Sequence, residues 1–340
     1  PQRTKLLEIT TKTGRKITVT PDHSLFTTKD FKIVPIECQN ISKYTKLVIP
    51  EKLPINYNNI SSINLLELLE DEDCKIVGYE EDLKQIIKKI GYKKAGGVIN
   101  CKSDIYTYLR KGIQHTNIRI RDYKKLAEQA EYPINSQLFE IKTGTSKTLN
   151  AEIKINGDFC RFLGYYVSEG YTETNGNVTL SNGDDIIVND IINLSRNLFG
   201  VEPYVRKTKG LGISNQINLN NKILGLMIKN LGCGRTSIEK RIPGFIFGLS
   251  EEKIYEFLKG YFDGDGSQTS LLTSGNRISC STISKGLAND LLYLFLQLGI
   301  VARVYTRDKK GIGKHMSYIL EFKQRKYIDL FLKNIGFRKY

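Results

Sequence analysis

An internal repeat constrains this chain of 340 residues more than any other feature. The stretch Phe162-Leu163-Gly164-Tyr165-Tyr166-Val167-Ser168-Glu169-Gly170 returns as Leu258-Lys259-Gly260-Tyr261-Phe262-Asp263-Gly264-Asp265-Gly266. An amphipathic helical run ending Leu-Phe-Gly at 198–200 answers one ending Gln-Leu-Gly at 297–299. Strand-like runs follow at 201–205 and 300–304, each leading into a basic turn, 206–210 or 306–311. Further strands read at 216–219 and 318–322, and each copy closes on a helix ending Asn-Leu-Gly (230–232) or Asn-Ile-Gly (334–336). The offset between copies grows from 96 residues at Gly170 and Gly266 to 104 at Gly232 and Gly336, while the order of elements holds. Two copies are too few for a solenoid, so the expectation is a pseudo-symmetric pair of α/β halves.

Read as a helix, each motif places Gly164 or Gly260 four residues before Ser168 or Gly264, on one face. Small residues at that spacing let two helix backbones approach closely, which suits a seam between the halves. Gly170 and Gly266 read as left-handed C-caps. Just before them stand Glu169 and Asp265. Two acids brought together at the negative ends of two helices repel each other and oppose the helix dipoles. Such a pair suits a divalent cation: Mg²⁺ takes carboxylate oxygens and needs few of them when phosphates supply the rest. Metals beside scissile phosphates activate water and stabilise the leaving oxygen. A single acid would read as an ordinary solvated helix end; matched acids in both copies favour chemistry.

Charge narrows the partner. With 51 Lys+Arg against 36 Asp+Glu the net charge is +15, a field that favours a polyanion. No amphipathic basic helix argues for a membrane surface, and no apolar run is long enough to span one. The N-terminus lacks a signal-peptide pattern, so an intracellular protein is expected. Cys38, Cys74, Cys101, Cys160, Cys233 and Cys280 never form a CxxC pair; they read as small buried apolar residues rather than zinc ligands or a disulfide framework. Abundant Lys, Ile and Asn with no Trp suggest an AT-rich genome, such as a thermophile's.

Upstream of the repeat the character changes twice. Residues 1–50 read as β-structure, with strands at 6–11, 16–20 and 46–50 and a hairpin turn at 12–15. Residues 51–150 read as mostly helical, with helices at 64–70, 80–90, 103–111 and 122–130. Leu83, Ile86, Ile87 and Ile90 show the helical spacing. Loops are expected at 93–97 and 114–117.

Both motifs resemble the dodecapeptide of LAGLIDADG homing endonucleases, the second, GYFDGDG, especially, and the similarity spans roughly residues 151–340. The resemblance implies an α+β fold. Two αββαββα halves, 151–245 and 246–340, would pack through the motif helices, their curved sheets forming a saddle on double-stranded DNA. It implies a monomer that makes a staggered double-strand break in a long pseudo-palindromic site. Mg²⁺, for which Mn²⁺ can substitute, would be held by Glu169 and Asp265 with the backbones of Gly170 and Gly266. Asp263 has only Val167 opposite it and is not counted as catalytic. Lys240, in Lys-Arg-Ile-Pro, resembles the lysine of a block between the motifs in intein endonucleases, and Lys323 resembles a second. Either could polarise the attacking water or neutralise charge on the phosphate. The first half carries Asn220 where the second carries Lys323. Arg206, Lys207 and Lys209 in one basic turn, and Arg307, Lys309 and Lys310 in the other, are expected to grip DNA.

Thr20-Pro21-Asp22-His23 resembles the Thr-x-x-His block of protein-splicing domains, within the segment GRKITVTPDHSLFT at 14–27. Residues 1–50 are therefore expected to be a partial splicing (Hint) region, with Thr20 and His23 its vestigial block. The insert 51–150 is expected to add phosphate contacts through Arg119 and Arg121. The chain starts with Pro1 and ends Arg338-Lys339-Tyr340, without a Cys or Ser start or a His-Asn end, so splicing is not expected of it. A prokaryotic, archaeal origin fits an intein. The rival readings are an RNA maturase or regulator, which degenerate acids would mark, and an inactive DNA-binding relic. Both acids are intact here.

Overall fold

The computed structural model describes every residue except 1–4, 101–104, 106–107, 109–116, 210–212, 272–274, 308–314 and 339–340. The chain forms two compact units, Pro1–Asn56 with Asp265–Gly336, and Tyr57–Gly264 with Phe337–Tyr340. These boundaries differ from those expected at 50, 150 and 245. The N-terminal β-region joins the second sheet, and all of the second motif helix but its last residue belongs with the first half.

The chain opens with two antiparallel hairpins, β1 (Leu7–Thr10) with β2 (Lys16–Val19) and β3 (Ser24–Lys29) with β4 (Lys32–Glu37). The second hairpin was not expected from the sequence. Its turn lies at Asp30 (φ 48°) and Phe31 (φ 58°), a left-handed pair in place of the usual Asn-Gly. Residues 46–50 were expected to be a strand, but only Leu47 pairs, through a single bridge to Thr27. Of the described residues up to 56, Cys38 alone is a buried apolar side chain. These hairpins have almost no core of their own. The first is seated on the second half: Val304 N donates to Thr13 O at 2.9 Å and Arg15 Nη1 to Ala302 O at 3.0 Å.

The insert follows with β5 (Ser62–Asn64), α1 (Leu65–Leu68), β6 (Lys75–Val77), α2 (Glu80–Ile90), α3 (Tyr92–Val98), α4 (Ile120–Gln129), β7 (Glu140–Lys142), β8 (Leu149–Asn150) and β9 (Glu152–Lys154). Its core includes Leu83, Ile86, Ile87, Tyr123 and Leu126 from α2 and α4. Residues 93–97 were expected to be a loop because Lys-Lys-Ala-Gly-Gly has loop composition. They lie instead in α3, where Ala95 is buried and packing outweighs the glycines. The expected helix 103–111 and loop 114–117 fall almost wholly outside the described residues.

The first half runs α5 (Gly157–Glu169), β10 (Gly170–Thr172), β11 (Val178–Asn182), α6 (Asp185–Phe199), β12 (Tyr204–Lys209), β13 (Ile213–Leu219) and α7 (Lys222–Asn230). The second runs α8 (Glu251–Asp265), β14 (Gly266–Leu271), β15 (Gly275–Thr282), α9 (Lys285–Gln297), β16 (Arg303–Arg307), β17 (Ser317–Phe322) and α10 (Arg325–Asn334). Each half makes an antiparallel four-stranded sheet, in the orders β10-β11-β13-β12 and β14-β15-β17-β16. Side-chain caps start α5, α6 and α9. Asn156 Oδ1 accepts from Phe159 N, Asp184 from Ile186 N and Ile187 N, and Ser284 Oγ from Leu287 N. Gly200 ends α6 in the left-handed conformation, φ 62°. Residues 159–167 of α5 are buried without a break, the mark of a helix enclosed on all sides. The five described cysteines are buried, and none forms a disulfide with another. No described helix is long and apolar enough to cross a membrane.

Candidate active site and nucleic-acid interface

The motif helices touch backbone to backbone. A Cβ on Gly164 would lie 2.1 Å from Phe257 O, and one on Gly260 2.2 Å from Arg161 O. One turn further on, a Cβ on Gly264 would lie 2.3 Å from Ser168 Oγ and 2.7 Å from Glu169 Cγ. The side chain of Glu169 therefore lies against Gly264, whose successor in the chain is Asp265. Gly170 is not a left-handed cap: it is extended (φ −93°, ψ 159°) and starts β10 directly. Glycine is needed there because a Cβ would come within 2.5 Å of the Tyr166 ring and 2.8 Å of Tyr166 O. Gly266 likewise starts β14 without a positive φ.

Ions brace the same pair of helices. Arg161, buried in α5, bonds Asp158, Asp190 and Glu256, and Glu256 also takes Lys259. Burial opposes the guanidinium's charge, but the bonds from Asp190 and Glu256 outweigh it and raise its pKa. Asp263 is fully buried. It accepts from Tyr165 Oη at 3.3 Å and from Arg338 N at 2.8 Å, while Arg338 Nη1 pairs with Asp190 at 2.9 Å. These bonds tie Asp263 into the fold.

Lys240 is buried, only 3% exposed. Its Nζ donates to Tyr166 O at 2.7 Å and lies 3.3 Å from the centre of the Tyr166 ring. The loop that carries it folds on itself. Arg241 N donates to Cys233 O, and the Glu239 carboxylate accepts from Arg235 N and Thr236 N. Burial pushes the neighbouring Cys233 thiol up to about 12, although the charge of Lys240 opposes it. Lys323, by contrast, is half exposed, with Nζ 3.3 Å from Glu321 Oε1.

Each sheet turns polar side chains away from its core. On the first, Arg206 Nη2 donates to Gln216 Oε1 at 2.6 Å and Gln216 Nε2 to Tyr171 Oη at 3.2 Å, the second bond reaching across β11 to β10. Thr179 bonds Asn218. On the second, a recess of about 190 Å³ is lined by Asp265, Ser267, Arg277, Ser279, Tyr305 and Arg307 among others. Glu321, 5% exposed, lies within 3.7 Å of Arg277 Nη1 and 3.5 Å of Tyr305 Oη. Tyr171, Gln216, Arg277, Tyr305 and Glu321 were missed in the sequence. Their alternation with core residues, as in Arg277, Ser279 and Ser281 against Ile278 and Cys280, is the signal that could have found them.

Lys207 is exposed on β12 and Arg307 on β16, while Lys309, Lys310 and the side chain of Lys209 lie outside the described residues. Arg119 caps the start of α4 with its side chain 3.5 Å from Asp73, and Arg121 is exposed one residue into that helix. Thr20 and exposed His23 occupy the turn between β2 and β3, where His23 N donates to Thr20 O.

Comparison with known proteins shows what the chain is similar to. Residues 252–336 match the LAGLIDADG-like domain family. Over 310 residues the chain is 31% identical to an uncharacterized protein of Methanocaldococcus jannaschii, covering 86% of this chain and 32% of that one. It is 29% identical to a DNA polymerase of Thermococcus litoralis, covering 94% and 21%. It is 27% identical to the replication factor C small subunit of M. jannaschii, covering 90% and 16%. The chain thus spans a third or less of each of these relatives. A crystal structure of I-DmoI in complex with DNA and Mn superposes with a TM-score of 0.37 at 14% identity, over 54% of this chain and 98% of that one.

Proposed function

We propose that this chain is a site-specific homing endonuclease, borne within a host protein as an intein element, that cuts both strands of a long pseudo-palindromic DNA site. The observation that carries the reading is the reciprocal glycine packing of α5 and α8, two copies of one motif that each end on an acid immediately before the first residue of a sheet. Nearly the whole chain aligns to a minor part of proteins as different as a DNA polymerase and a replication factor subunit, which supports an inserted element.

The donors suit a hard divalent cation. Glu169 and Asp265 offer carboxylate oxygens beside the backbones of Gly170 and Gly266, and a Cβ at Gly264 would crowd the Glu169 side chain. Bound there, Mg²⁺, or Mn²⁺ in its place, would supply an activated water and stabilise the leaving oxygen. The polar sheet faces would read base edges in the major groove. Arg206, Lys207, Lys209, Arg307, Lys309 and Lys310 would hold phosphates, and Arg119 and Arg121 would extend the footprint. Lys323, half exposed, can reach a phosphate and neutralise developing charge.

The test is cleavage of a randomised duplex library, with Mg²⁺ and with EDTA, beside Glu169→Gln and Asp265→Asn. Metal-dependent cuts at one long site, lost in both variants, are expected. Duplex binding without any cutting by the wild type would establish a DNA-binding relic instead.

A further inference from the structure

We infer that Lys240 is a positioning residue for Glu169: a buried ammonium that caps the carboxyl end of α5, rather than a group that activates water. The inference rests on the endonuclease reading for its consequence, but its geometry stands apart from it.

A helix leaves its last carbonyls without intrahelical donors, and its carboxyl end carries a partial negative charge. Glu169 is the last residue of α5, so its own charge adds to that end. Tyr166 O takes the final helical bond from Gly170 N and a second hydrogen bond from Lys240 Nζ, at 2.7 Å. The ammonium is anchored again over the Tyr166 ring. A positive charge is thus fixed within one helical turn of the acid, in a side chain with almost no access to solvent. A group that must meet a water or a phosphate needs the opposite setting, such as the half-exposed one of Lys323.

The loop around Lys240 is built to hold it. Tyr166 Oη donates to Gly234 O at 2.8 Å, and Thr172 N, three residues past Glu169, donates to Arg235 O. Gly234 has φ 76°, and a Cβ there would lie 2.2 Å from Glu239 O, so the loop closes backbone on backbone just before Lys240. The strap therefore grips the chain on both sides of Glu169, at Tyr166 and at Thr172. Removing the ammonium leaves the last turn of α5 with one hydrogen bond fewer and the acid with an uncompensated helix end. Displacement of a reacting group by about 1 Å costs on the order of 10²-fold in rate.

The experiment compares wild type with Lys240→Met and Lys240→Gln, the second keeping an N–H donor should the first not fold. Two readouts are taken: amide exchange at residues 169–172, and single-turnover cleavage across Mg²⁺ concentration and pH. The expected result is amide exchange at Gly170 and Thr172 at least about tenfold faster in Lys240→Met, with α6 unchanged and Lys240→Gln in between. The Mg²⁺ needed for half-maximal cleavage should rise, with the shape of the pH profile kept. Unchanged exchange, or a rate lost at saturating Mg²⁺ together with one limb of the pH profile, would overturn the inference. If the wild type does not cleave at all, the endonuclease reading fails while the exchange data still decide the cap.

Discussion

At the scale of single residues, the candidate site is set by charges that the sequence shows but does not locate. Glu169 and Asp265 stand out in the sequence because they recur at one place in a repeat. Lys240 was singled out by resemblance, but its burial was not legible: among so many lysines no local pattern tells which ammonium is buried, since its partner is a backbone carbonyl 74 residues away. Glu256 illustrates the consequence for pH. Burial alone would raise its pKa, but Arg161 and Lys259 outweigh burial and hold it below 4.5. The unfolded chain therefore takes up this proton first as pH falls. The stability it contributes is present above the ordinary carboxylate range and is lost as pH drops through the folded value. We expect the urea midpoint to fall between about pH 5 and about pH 3. Glu256→Gln should flatten that acid limb, and a limb of unchanged depth in the variant would refute the assignment.

Among the elements, helices with caps and periodic apolar faces were readable, α2 to the residue. What escaped was set by tertiary contact. The β3–β4 hairpin turns on Asp30 and Phe31 rather than on glycine, and α3 holds two glycines that only packing of Ala95 overrides. The spacing of small residues in the motif helices foretold their close approach, whereas the reason for Gly170 was steric rather than left-handed. The α5–α8 contact gives a direct test. Gly164→Ala puts a methyl group 2.1 Å from Phe257 O, where only backbone movement can make room. A loss of about 3 kcal/mol or more is expected from urea unfolding at an unchanged slope. Gly244→Ala, which meets nothing within 4 Å, should stay within about 0.5 kcal/mol. Equal effects at the two positions would mean that α5 and α8 do not pack as described.

For the molecule as a whole, the net charge of +15 and the polar sheet faces make one prediction. If the faces hold duplex DNA, log K should fall linearly with log salt at a slope near −0.9 per phosphate contact. With about six contacts, affinity should drop on the order of 10³-fold between about 50 and 200 mM salt. A flat salt response in a filter or anisotropy titration would count against DNA as the ligand. The mixed α/β class and the repeated order of elements were legible at this scale. The partition was not, because the described residues up to 56 bury one apolar side chain, Cys38, and the first hairpin joins the second sheet through hydrogen bonds that leave no trace in residue pattern.

That seating has a colloidal consequence. β16 is the outer strand of its sheet, and an outer strand offers a row of amides and carbonyls to any other strand that arrives. The tip of the first hairpin occupies that row at Val304 and Ala302. A segment that resembles a splicing block thus also serves as a bumper, keeping the edge of this sheet from adhering to its own kind.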